Sequence, residues 1–121
     1  MKAARWIYLI AGIYGIAVLA PSFFISPPEG ARPEFYYGFL GLALVWQFGF
    51  ILISRDPARF RPLMPITILE KLSFFATCIA LYASGRMGVS GPFIGGMIDG
   101  VLMVLFAFAW RASRPAAKER G

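Results

Sequence analysis

The chain has 121 residues, of which 59% are hydrophobic and 15% charged. Soluble domains are about 45–50% apolar and about 25% charged, so this composition belongs to the membrane class, in a length that holds one domain. A single cysteine, Cys78, excludes an intrachain disulfide, and the lack of any histidine excludes a Ser-His-Asp or zinc-hydrolase site. The net charge of +6 does not indicate nucleic acid, because the basic residues fall in short clusters between long apolar runs.

About 20 mainly apolar residues are needed to cross a hydrocarbon core of about 30 Å. The first run, 6–25, reads "WIYLIAGIYGIAVLAPSFFI" and reaches that length. Pro21 stands near its end and is expected to stop or kink it. "MKAAR" followed by an apolar run resembles a signal peptide, but Pro21 would directly follow the cut and the run continues through "SFFI". The segment is therefore expected to be a retained helix. Tyr8, Ala11, Gly12, Gly15, Leu19 and Ser22 share one of its faces at helical spacing.

After the breaker "SPPEGARPE", the second run spans 35–54. It carries two opposed faces. Gln47 lies with Tyr36, Leu40, Ala43 and Ser54, whereas Gly38, Gly41 and Gly49 lie opposite. Helices in lipid associate through small residues and a few polar contacts, so the glycine side has two readings. It either meets another protomer or partner, or reflects the general frequency of glycine in membrane helices.

The linker "SRDPARFRP" comes next. Asp56 before Pro57 has the pattern of a helix N-cap with proline at the first position, which predicts a single helical turn. Arg55, Arg59 and Arg61 are candidates for lipid headgroups, for ion pairs, or simply for setting topology.

The third run, 63–84, contains "ITILEKLSFFA", with Glu70 and Lys71 adjacent in an apolar setting. Thr67, Glu70, Ser73, Thr77 and Ser84 fall within a sector of about 120°. Lys71 points about 100° from Glu70 and is expected to snorkel back to the inner headgroups. Glu70 must stay protonated, pair with a cation or line a wet cavity, because an isolated carboxylate in lipid costs several kcal/mol. An arginine of the preceding linker is the expected cation, and Gln47 the expected interhelical hydrogen-bond partner.

The fourth run, 93–110, follows "GRMGVSGP". Gly91, Gly95, Gly96 and Gly100 make two GxxxG spacings, read as packing surfaces. Asp99 lies on the same face as Gly95, Gly96, Met103, Phe106 and Trp110. Counted from the outer side, it is expected at a different depth from Glu70 and Lys71, too far for direct contact. Pro33, Pro65 and Pro92 each stand near the first turn of a run, where a missing N–H costs nothing.

Basic residues set the direction. Lys2 and Arg5 precede the first run, Arg55, Arg59 and Arg61 follow the second, and Arg111, Arg114, Lys118 and Arg120 follow the fourth. The other two linkers carry only Arg32 and Arg86. The positive-inside rule then places both termini and the Arg-rich linker in the cytoplasm. The expected architecture is an all-α membrane protein: one four-transmembrane-helix bundle over 1–112, with a basic disordered tail over 113–121.

The segments "FYYGFLGLALVWQ", "SRDPARFRPLMP" with "LEK", and "IDGVLMVLFAFAW" resemble small bacterial inner-membrane proteins with four helices. The last segment, an Asp opening an apolar helix that closes on a basic tail, is similar to the DoxX-like group. The resemblance implies a four-helix bundle in a bacterial inner membrane and no functional residues. Small multidrug transporters share this length and helix number, but they depend on a first-helix carboxylate that this chain lacks.

Three functions compete. The leading expectation is a non-enzymatic accessory or assembly subunit that packs with itself or with a membrane partner through small-residue faces, in contact with the bilayer and without cofactor, metal or nucleic acid. The alternative is a small transporter or ligand-binding bundle using Glu70 and Asp99, assisted by Gln47. The third is a membrane enzyme acting with a quinone or lipid; Glu70 could serve as an acid or base, but no second catalytic group is evident.

Overall fold

The computed structural model describes residues 2–114. They form four long helices, α1 (Lys2–Ser22), α2 (Pro33–Arg55), α3 (Met64–Ala83) and α4 (Gly91–Ala112), with a 3-10 turn at Arg61–Leu63 before α3. All four are long and apolar enough to cross a membrane, and large apolar side chains such as Leu42, Val45, Leu69 and Val104 stand exposed on the outside. An apolar exterior around a small buried core is the make-up of a multi-pass membrane protein.

Local signals place the helix ends. Pro21 lies in the last turn of α1, which stops at Ser22, three residues before the predicted end. Phe23–Ile25 leave the helix through successive turns. Pro33 and Glu34 occupy the first turn of α2. The Ser90 hydroxyl caps α4 by accepting from the Phe93 N–H at 3.4 Å. At the end of α3, Gly85 takes a positive φ of 77°, while Arg86 N–H donates to Leu81 O at 2.9 Å and Gly85 N–H to Tyr82 O at 3.1 Å. That pair of bonds is a Schellman closure, which needs a left-handed residue at this position.

The predicted turn after α2 is present. Asp56 Oδ1 accepts from Arg59 N–H at 3.3 Å, and Phe60 N–H donates to Asp56 O at 3.1 Å. The predicted tail begins at Ser113, which is buried, with its hydroxyl 3.2 Å from Trp110 O and 3.5 Å from Met64 Sδ. The rest of that tail, 115–121 with Lys118 and Arg120, lies outside the described residues.

The helices pair as two hairpins. α1 packs along α2, α3 packs along α4, and α1 joins the pairs by touching α4. Small residues allow the approach. A Cβ at Gly96 would stand 2.6 Å from Cys78 Sγ, and one at Gly100 would stand 2.5 Å from the Phe75 ring. The Gly96/Gly100 spacing is thus a packing surface against α3, whereas Gly91 and Gly95 meet no described atom within 4 Å. In the core, the Tyr8 ring stacks on Phe106 at 4.3 Å, and Phe50 meets Phe106 edge-on at 5.0 Å. The Tyr8 and Thr67 hydroxyls are 2.8 Å apart, and Thr67 donates to Met64 O at 2.7 Å. Because the Thr67 proton is so committed, Tyr8 is the donor to Thr67.

Candidate functional site

The buried residues of α3 are Met64, Thr67, Lys71 and Cys78. Their spacing of three, four and seven draws one stripe down the helix, so Lys71 sits on the core side with Thr67 and Cys78. Its side chain is 5% exposed. The ammonium lies 3.4 Å from Asp99 Oδ1, 3.8 Å from Glu70 Oε2 and 5.0 Å from the centre of the Phe50 ring. Three charges and an aromatic face thereby converge inside the bundle. Desolvation of the ammonium is offset by two carboxylates and a ring quadrupole.

This geometry revises several sequence expectations. Lys71 does not snorkel. It turns inward, because two carboxylates without a cation in an apolar interior are costlier than one ordered lysine arm. Depth does not separate it from Asp99. Both residues lie a few positions from the middle of antiparallel helices, and the long arm spans the remaining rise. Nor does the angular offset keep Lys71 from Glu70, since the arm bends over its neighbour.

The linker arginines serve elsewhere. Arg61 Nε donates to Trp110 O at 3.0 Å and its guanidinium lies 5.0 Å from the Trp110 ring, fastening the linker to the end of α4. Arg59 lies over Phe60 at 5.5 Å, and Arg55 is exposed. Each helps make one basic end of the bundle.

Gln47 also departs from its expected pairing with Glu70. It is 2% exposed and its Nε2 donates to Ala43 O, one turn back, at 2.7 Å. Its carboxamide rests against α1 at Gly15, where an added Cβ would overlap it. Among the described residues, Gln47 Oε1 and Glu70 Oε2 are buried side-chain oxygens without a hydrogen-bond partner. Gln47 is thus seated in the α1 glycine stripe.

α2 and α3 do not pack closely against each other, and a lateral groove of about 670 Å³ lies between them. Phe39, Leu42, Ala43 and Trp46 form one wall; Ile66, Leu69, Glu70, Ser73, Phe74 and Thr77 form the other. Phe39 and Phe74 meet across it, with ring centres 5.3 Å apart. Glu70 is the one ionisable group of this lining, and Asp99 is not part of it. The two carboxylates therefore share a cation and not a cavity. Of the hydroxyl stripe read in the sequence, Ser73 and Thr77 line the groove, while Thr67 faces the core.

Sequence reasoning missed the inward turn of Lys71, the Phe50 face beneath it and the groove itself. The Met64/Thr67/Lys71/Cys78 stripe was the available signal for the first. The groove has no such signal, because it arises where α2 and α3 stand too far apart to pack backbone against backbone.

No protein-family model, curated protein or solved structure matches the chain.

Proposed function

We propose that this is a non-enzymatic accessory or assembly subunit of a bacterial inner membrane, which associates with a second membrane helix through the glycine face of α2. The observation that carries this reading is the empty surface at Gly38 and Gly41. A Cβ at either position would meet no described atom within 4 Å, on the side of α2 turned away from the buried stripe of Leu40, Gln47 and Ser54. Small residues left open on one face let another helix backbone approach closely, which is the main source of helix association in lipid. The partner is a second copy of this chain or another membrane protein.

Both termini and the Arg-rich linker face the cytoplasm in this proposal. Its support is the basic end of the bundle, where Arg55, Arg59 and Arg61 gather with Arg111 beside the end of α4. At the other end, Arg32 is paired with Glu34 at 3.2 Å. The transport reading loses support at Asp99, which pairs with Lys71 and does not line the groove.

The test is a cysteine crosslink. In a Cys78→Ala background, Gly41→Cys should give a defined crosslinked species in native membranes, and Gly41→Leu should abolish association. A strictly monomeric protein that crosslinks to nothing at Gly41→Cys would falsify the proposal.

A further inference from the structure

The groove between α2 and α3 invites a different occupant from the glycine face. The geometry points to a binding site there for a single-chain amphiphile with a protonated amine head, its chain in the groove and its ammonium on Glu70. This inference is independent of the α2 association proposed above and uses another surface.

Volume is the first argument. The groove holds about 670 Å³, within the roughly 300–1,000 Å³ typical of small-molecule sites. Wall chemistry is the second. Phe39, Trp46 and Phe74 project bulky rings into the groove, and such walls keep a helix backbone at a distance while suiting a flexible hydrocarbon chain. The glycines that would admit a helix, Gly38 and Gly41, lie outside this lining.

Charge selects the head. Lys71 supplies one positive charge to two carboxylates and lies nearer Asp99, at 3.4 Å, than Glu70, at 3.8 Å. Glu70 Oε2 is buried beside Lys71, while the Glu70 side chain, 20% exposed, is the one ionisable group of the groove. An ammonium at the exposed part of the Glu70 side chain adds the missing second cation beside the cluster. A carboxylate or phosphate head would instead meet excess negative charge. An alcohol could donate but would leave the charge uncompensated. Ser73, one turn along the same wall, offers a second acceptor to an ammonium held by Glu70.

Trp46 provides the readout. The chain has three tryptophans, and Trp6→Phe with Trp110→Phe leaves Trp46 alone, in the groove wall. The full chain in lipid nanodiscs would be titrated with a long-chain primary amine brominated on its tail, then with the alcohol and fatty acid of the same length. Trp46 quenching should saturate with the amine at a mole fraction about tenfold below that of the other two. Glu70→Gln should move the amine midpoint up about tenfold, to that of the alcohol. Ser73→Phe, which fills the groove and leaves the Glu70–Lys71–Asp99 cluster in place, should abolish saturable quenching.

Equal quenching by the three amphiphiles would mean ordinary lipid contact and overturn the inference, as would an unchanged midpoint in Glu70→Gln. Should Glu70→Gln not fold, Ser73→Phe decides: saturable quenching that persists there overturns the site. Failure of the Gly41→Cys crosslink leaves the inference standing, because the two experiments probe different faces of α2.

Discussion

Lys71 reaches across the α3–α4 interface to Asp99, with its ammonium 3.4 Å from Oδ1, while Glu70 holds the same ammonium at 3.8 Å. One cation therefore serves two carboxylates that are 20% and 18% exposed. Taking away Lys71 leaves both carboxylates unpaired, whereas taking away Asp99 leaves Lys71 with Glu70. Lys71→Met is expected to destabilise the bundle by about 3–5 kcal/mol. Asp99→Asn should cost clearly less, and the triple change Lys71→Met, Asp99→Asn, Glu70→Gln should recover most of the loss. Unfolding of the purified protein in detergent measures all three. Equal stability of the single and triple variants would show that the cluster is not electrostatically coupled.

The Tyr8–Thr67 contact makes an asymmetric prediction. Tyr8 donates to Thr67, and Thr67 donates to Met64 O. Tyr8→Phe keeps the stack on Phe106 and removes one bond, leaving Thr67 a spare lone pair; about 1 kcal/mol is expected. Thr67→Val removes this bond and the one to Met64 O, and leaves a buried tyrosine O–H without an acceptor, so its loss should exceed that of Tyr8→Phe. The same detergent unfolding distinguishes them, and the reverse order would refute the donor assignment.

Gly85 and Gly88 lie in the same loop, yet only Gly85 has a positive φ, 77°. Neither would bring a Cβ within 4 Å of a described atom. Any difference between Gly85→Ala and Gly88→Ala is therefore backbone strain and not crowding. Gly85→Ala should cost about 1 kcal/mol, and Gly88→Ala should be near neutral. Parallel thermal melts compare the two directly.

Much of the fold was legible because lipid imposes length and composition on a helix before tertiary packing acts. The four spans, the Pro21 stop, the Asp56 turn and the buried stripe of Tyr8, Ala11, Gly12 and Gly15 are local or periodic signals. The site was less legible, because it depends on where long side chains bend. Position along the helix points Lys71 to the headgroups, but its rotamer answers to Asp99, which is 28 residues away in sequence. Depth pairs Gln47 with Glu70, yet the Gly15 notch on α1 holds it. Depth and angle bound the reach of a lysine or glutamine; they do not choose among the partners within that reach.

The Gly15 notch separates packing within the chain from packing between chains. An added methyl at Gly15 would overlap the Gln47 carboxamide, so Gly15→Ala forces α1 and α2 apart or drives Gln47 off its rotamer. A loss of about 1–3 kcal/mol is expected, partly restored by Gln47→Ala, which vacates the same space. Gly41→Ala meets nothing within the described chain. It should not destabilise the isolated protein, raising its stability by up to about 1 kcal/mol through helix propensity, and should weaken only its association in membranes. Measuring unfolding and crosslinking on both variants separates the two roles, because a loss of intrinsic stability in Gly41→Ala would place that glycine inside the fold and remove the open face from α2.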